Sequence, residues 1–290
     1  MGRIDVERVP YQDYSNRQLA AIPLAVLALA LGIILIAYLV TGTPVALGFE
    51  FTGGTTVQFT AEDASTGDVR DVLEAEFDIE SVRAIGFGSD YEVETQLEET
   101  AQLESVITDE YGDNAIQSID TRSATFGSDT QQEALLGIII AFVGMSVLVA
   151  AMFRALIPSV AVVASAFSDI VVPVALMNVF GIKLSLGAVA ALLMIIGYSV
   201  DSDILLNNHV LRRRGDFYES AYQAMRTGIS MTLTSLAAMT TMGIVSYYFG
   251  IDLLPEVALI LVFGLATDLM NTYLLNMSLL RWYKYEGVKR

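Results

Sequence analysis

At 290 residues, 54% of them hydrophobic and with a mean hydropathy of +0.54, the chain is too apolar for one soluble domain and long enough for several membrane spans. The absence of cysteine excludes a disulfide framework and a thiolate metal site, and a single histidine, His209, argues against a zinc centre, so neither a metal nor a cofactor is expected. The formal charge of −17 is concentrated: residues 43–133 hold 21 Asp and Glu against three Arg, and the rest of the chain is nearly balanced.

Residues 1–18 read as a cytoplasmic N-terminus, followed by an apolar run from Leu19 to Val40. That run is longer than the roughly 7–15 residues of a signal-peptide core and no small-residue cleavage site follows it, so it reads as a retained transmembrane helix over 19–41. The acidic block, 42–133, then reads as a separate α+β domain. Thr55 to Thr60 alternates as a strand does; Ser65-Thr66-Gly67-Asp68 has capping-box spacing and precedes an apolar stripe of Val69, Val72, Leu73 and Phe77. Val82 to Phe87 and Tyr91 to Thr95 flank Gly88-Ser89-Asp90 as a hairpin would. A second helix is predicted from a capping box at Thr95-Gln96-Leu97-Glu98, with Leu103, Val106, Ile107 and Tyr111 inward and a stop at Gly112; a last strand falls within Ala115 to Thr125. The order β-α-β-β-α-β is the ferredoxin-like pattern. Because the acids are spread along the whole domain, hydration in concentrated salt accounts for them better than a patch for a basic partner, and their field repels nucleic acid.

Five further apolar runs follow within 134–280: Ala134 to Phe153, Leu156 to Phe180, Leu184 to Leu206, Thr227 to Phe249 and Pro255 to Leu280. With residues 281–290 returning to the side of the N-terminus, twelve Lys and Arg fall on that side against four on the other. The positive-inside rule then places both termini in the cytoplasm and the acidic domain outside, giving an α-helical membrane protein of six transmembrane helices with an extracytoplasmic ferredoxin-like domain between helices 1 and 2.

Four aspartates fall inside spans: Asp169 in the third, Asp201 and Asp203 in the fourth, Asp268 in the sixth. An ionised side chain at a helix centre costs about 2.5–3.5 kcal/mol on a translocon-derived scale, so these residues point to a proton or ion pathway, with hydrogen-bonded helix anchoring the alternative for Asp169 and Asp268. Asp201 and Asp203, two apart, point in nearly opposite directions and must differ in role. Arg226, Ser230, Thr234 and Thr241 form a polar stripe along the fifth span, read as a hydrated path with Arg226 at its inner end. Asp201 and Arg226 are the favoured coupling pair. His209 reads as a surface or interfacial residue rather than a proton carrier, and Asn276-Met277-Ser278, a glycosylation pattern, falls inside a span and is discounted.

Three segments resemble a known family, the SecD and SecF protein-export membrane proteins. FEFTGGTTVQF, Phe49 to Phe59, is similar to the FxGGT signature opening their outer domain, with Gly53, Gly54 and Thr55 at its turn. Gly197 to Gly215 resembles the fourth-span motif and Arg226 to Ser235 the start of the fifth. Where bacterial relatives carry Asn-Asp, with the acid at the position of Ser202, this chain has acids at Asp201 and Asp203 instead, a variant that looks archaeal; with the acidic domain, the type is halophile-like. The resemblance implies half of an assembly of the RND transporter superfamily. SecD would be its partner in the lipid membrane, the Sec translocon channel its neighbour and a translocating secretory polypeptide its load, with the proton or sodium gradient as driving force. It implies a non-enzymatic role. A solute or lipid exporter half is the alternative from the same superfamily; an intramembrane aspartyl protease is a weaker one, because neither GYSVD nor GLATD contains the GxGD element.

Overall fold

The computed structural model describes residues 11, 13–62, 64–85, 89–97, 99–212, 216–251 and 253–287. The turn residue Gly88, the cap residue Glu98 and the charges at Arg3, Arg8, Arg213, Arg214, Lys289 and Arg290 lie outside the described residues.

Among the described residues six helices are long and apolar enough to cross a membrane. They are α1 (Asn16–Thr41), α5 (Ala124–Phe153), α6 (Leu156–Phe180), α7 (Leu186–Arg212), α8 (Phe217–Tyr248) and a sixth that runs from Leu254 to Tyr285. The sixth changes pitch: α9 (Leu254–Met270) passes into a π turn at Asn271–Asn276, then α10 (Met277–Trp282) and a second π turn at Tyr283–Gly287. Helices in hydrocarbon satisfy their own backbone, so an apolar run needs no amphipathic stripe to be stable there. Accordingly α1, α5 and α8 expose Leu29, Ile36, Ile140, Val147 and Ile244 to the outside of the bundle, and α6, α7 and α9 form its buried centre.

Two spans begin earlier than their apolar runs. The α5 helix starts at Ala124 rather than Ala134 and α8 at Phe217 rather than Thr227, because the residues before each apolar run mix polar with apolar side chains and are started by caps that hydropathy does not register. Ser123 Oγ accepts from Phe126 N, and Asp216 accepts from the amides of Tyr218 and Glu219.

Between α1 and α5 lies a small two-layer unit. A single turn, α2 (Phe49–Thr52), leads into β1 (Gly54–Thr60), α3 (Thr66–Glu74), β2 (Ile79–Ile85), β3 (Asp90–Thr95), α4 (Ala101–Tyr111) and β4 (Ile116–Arg122). The sheet is antiparallel with order β2-β3-β1-β4. Val57, Phe59 and Val93 from the strands meet Val69 and Leu73 of α3 and Leu103 and Ile107 of α4, all fully buried. Ser65 and Asp68 form the expected reciprocal cap of α3. The expected cap at Thr95 does not form: Thr95 stays in β3 opposite Thr55, donates its hydroxyl to Asp78 O at 2.8 Å, and α4 begins at Ala101. A paired central strand here outweighs a local cap signature.

The FTGG turn fastens this unit to the bundle. Gly53 and Gly54 have φ of +81° and +114°, and a Cβ on Gly53 would lie 2.6 Å from Ala124 N at the start of α5. A Cβ on Gly54 would collide with the Thr95 carbonyl of the neighbouring strand. Thr55 Oγ1 donates to Leu97 O at 2.6 Å, tying β1 to the segment before α4.

A second fastening crosses to the loop between α6 and α7. Leu184 N donates to Ala46 O and Gly48 N to Leu184 O, at 2.7 and 2.8 Å. Beside them Lys183 Nζ stands 2.5 Å from Glu94 and 3.4 Å from Glu80, and Arg83 joins Glu92 to Glu256 at the start of α9, each at 2.8 Å. Burial opposes the charge of Glu94, but the Lys183 hydrogen bond and charge together with Arg83 outweigh it and hold the carboxyl below its ordinary range. Glu50, at the same junction, is pushed the other way by burial.

Two outcomes are expected. Gly54→Ala forces an L side chain into a glycine conformation and destabilises the sheet unit by at least about 1–3 kcal/mol, read as a lower unfolding temperature in detergent. Lys183→Gln costs about 1–2 kcal/mol at neutral pH, between an exposed pair and a buried charge-assisted bond. Because the Glu94 pKa is depressed in the fold, its stabilisation is complete above the usual Glu range and is lost as pH falls through the lowered value; wild type and Lys183→Gln therefore converge in acid.

A candidate carboxylate site inside the helix bundle

The three central helices each bring one aspartate to a common interior. Asp169 on α6 and Asp203 on α7 are wholly buried, and Asp268 on α9 is 1% exposed. Each is met by donors from a different helix. Ser199 Oγ donates to Asp169 Oδ2 at 2.5 Å and Asn271 Nδ2 to Asp169 Oδ1 at 2.6 Å. Asn276 Nδ2 donates to Asp203 Oδ1 at 2.7 Å, and Ser202 Oγ lies 2.7 Å from Asp268 Oδ1. Thr272 Oγ1 is within reach of both Asp203 and Asp268, at 2.9 and 3.2 Å.

All these donors are neutral. Among the described residues no Lys, Arg or His forms an ion pair with any of the three carboxylates, so in this low-dielectric interior their charge needs a proton, a cation or water beside it. Several neighbouring atoms also have no hydrogen-bond partner within the described protein: Asp203 Oδ2, Asn276 Oδ1, Asn271 Oδ1 and both polar atoms of Asn207. Buried groups of this kind bind ordered water.

The π turn supports the arrangement. In an α-helix Asn271 and Asn276 would stand about 140° apart; the wider turn carries one to Asp169 on α6 and the other to Asp203 on α7.

The remaining residues singled out from sequence lie elsewhere. Asp201 is exposed on the outer side of α7, opposite the buried Asp203. Arg226 on α8 is partly buried, and among the described residues no ion pair joins it to Asp201. Ser230, Thr234 and Thr241 donate to the carbonyls of Arg226, Ser230 and Ala237 four residues before them, each at 2.8 Å, and Thr234 and Thr241 face outward. Gly53, Gly54 and Thr55 lie at the junction with the sheet unit, away from the carboxylates. Sequence reasoning missed Ser199, Ser202, Asn271, Thr272 and Asn276. The signal was present for two of them, since Thr272 and Asn276 follow Asp268 at intervals of four along one helix face.

Residues 102–286 match the family described as "Protein export membrane protein SecD/SecF, C-terminal". The chain is 57% identical to a protein-export membrane protein SecF of Haloferax volcanii and 55% identical to one of Haloquadratum walsbyi, in each case over the full length of both chains. A SecF of Pyrococcus furiosus is 36% identical over 95% of this chain and 94% of its own. Among solved structures, SecDF from Thermus thermophilus, described as a translocon-associated membrane protein, superposes with a TM-score of 0.73 at 20% identity. That likeness covers 98% of this chain and 40% of the solved one, and it concerns the fold. On the match of its own residues and the full-length likeness to these relatives, the chain belongs to the SecD/SecF family of protein-export membrane proteins.

Proposed function

We propose that the chain is a SecF-like accessory subunit of the Sec protein-export machinery, and that its three buried aspartates couple the movement of protons or sodium ions to changes in the bundle. The observation that carries the coupling is that, among the described residues, Asp169, Asp203 and Asp268 are met by neutral donors alone. A hydroxyl has one proton to give, so Thr272 serves Asp203 or Asp268 but not both at once. Protonating either carboxyl turns it from acceptor to donor and re-sorts the bonds between α7 and the sixth span. That makes two arrangements for charge to select between.

The working topology has both termini, 1–18 and 281–290, in the cytoplasm and residues 42–133 outside. The distribution of Lys and Arg supports it. The β-α-β-β-α-β connectivity and the sheet order support a ferredoxin-like reading of the outer unit. A SecD subunit is the proposed partner, with the translocon channel and the emerging secretory polypeptide as the further contacts. The role is non-enzymatic.

The test is export of a secreted reporter in a haloarchaeal strain lacking its own SecD and SecF, supplied with this chain and its SecD. Deleting the chain tests the subunit assignment by itself. Asp203→Asn and Asp268→Asn are expected to lower export about tenfold or more with the complex still recovered, and Thr272→Val by a smaller factor. Asp201→Asn and Arg226→Ala show whether the outward acid and the fifth-span stripe contribute separately. Wild-type export by all three of Asp169→Asn, Asp203→Asn and Asp268→Asn removes the ion-coupling proposal and leaves the subunit assignment standing.

A further inference from the structure

On α7 the buried polar groups stop close to the end of the bundle that carries both termini. Asn207 lies five residues before Arg212, about 7–8 Å along the axis. Among the described residues, α7 on either side of it along the chain enters one apolar layer. Leu206 and Val210 of α7, Phe217 and Met225 of α8, and Met277 and Leu280 of α10 are all 2% exposed or less and belong to one cluster with Tyr273. One member of the layer comes from none of the six spans: Tyr11, 5% exposed, from the segment that precedes α1.

Tyr11 is held by specific bonds rather than by apolar contact alone. Its hydroxyl donates to Tyr273 O at 3.1 Å, and Tyr273 belongs to the π turn that also carries Asn271, Thr272 and Asn276. Its backbone is clamped by Arg281, 9% exposed, whose guanidinium spends its nitrogens on this segment and on the first residue of α1. Nη1 donates to Tyr11 O, Nη2 to Tyr14 O at 2.7 Å and Nε to the Asn16 side chain. A buried cation solvated by three neutral oxygens, two on the strap and one on Asn16 where α1 begins, is a built clasp.

We propose that this strap is a gate: Tyr11, seated on the π turn and latched by Arg281, closes the carboxylate site to water from the side of the termini, and its release opens that side. The purpose of the gate rests on the reading of the carboxylates as an ion-handling site; its geometry does not. Withdrawing Tyr11 frees Tyr273 O and breaches the apolar cluster that holds Leu206 and Met277, the chain neighbours of Asn207 and Asn276. One movement thus changes both access and the π turn that positions the two amides on Asp169 and Asp203.

The chain has no cysteine, so a single Asn207→Cys reports access directly. With the SecD complex in membrane vesicles, a membrane-impermeant maleimide is applied from the side of the termini and the labelling rate is measured. Labelling is expected to be slow with Tyr11 intact, about tenfold faster with Tyr11→Ala, and intermediate with Tyr11→Phe, which keeps the ring and loses the bond to Tyr273. Ala191→Cys, wholly buried farther along α7, is the control for loss of structure and is expected to stay unlabelled throughout. Equal rates at Asn207→Cys with and without Tyr11 overturn the proposal. So does a parallel rise at Ala191→Cys, which would make the strap a fastener of the fold rather than a gate. Because labelling is read without any export assay, failure here and failure of ion coupling are separate results.

Discussion

A carboxylate in hydrocarbon must be met by donors from somewhere, and here every one of the three is met from a different helix. Asp169 of α6 depends on Ser199 of α7 and Asn271 of the sixth span; Asp203 of α7 depends on Thr272 and Asn276; Asp268 depends on Ser202. Lipid tails offer no hydrophobic drive for one helix to choose another, and such interhelical bonds average only about 0.6 kcal/mol, so their value lies in register more than in energy. Rotating or sliding any one of the three helices would strand a carboxylate. Among the described residues the outer helices α1, α5 and α8 bring no carboxylate into this interior, and they show lipid-like faces of Leu, Ile and Val.

This division explains what could be read in advance. The apolar run from Leu156 to Phe180 coincides with α6 at both ends, since the chain leaves the helical conformation at Arg154 and again at Gly181. The runs for α5 and α8 fell short because the residues that begin these helices mix polar with apolar side chains and are helical all the same. The aspartates stood out as charges in apolar stretches, but helix rotation decides which of them are enclosed. Spacing shows that Asp201 and Asp203 face apart without showing which faces in. The donors were harder to see, because serine and threonine are ordinary in a span and Asn276 first presents itself as part of a glycosylation pattern. Pitch was invisible altogether: nothing in Asn-Thr-Tyr-Leu-Leu-Asn marks a π turn, which arises from the contacts it satisfies on both sides.

The outer unit is joined to the bundle by two fastenings of different character. The glycine turn against α5 is steric, fixed by backbone that leaves no room for a side chain. The contact with the α6–α7 loop is made by paired peptide groups and by Lys183 and Arg83. The second touches the loop between two central helices and the first turn of α9. The ends of the helices that hold the carboxylates are thereby in direct contact with the sheet.

The Lys183–Glu94 pair also bears on the medium in which the haloarchaeal relatives live. In molar salt the Debye length is about 3 Å, so the many acids dispersed over the outer unit scarcely sense one another and their repulsion is quenched. A contact of 2.5 Å with its carboxylate 7% exposed admits no screening ion between the charges. The same brine that silences the surface leaves the joint intact, and dilution would reverse the balance, restoring the repulsion of a strongly negative sheet against a joint that has gained nothing.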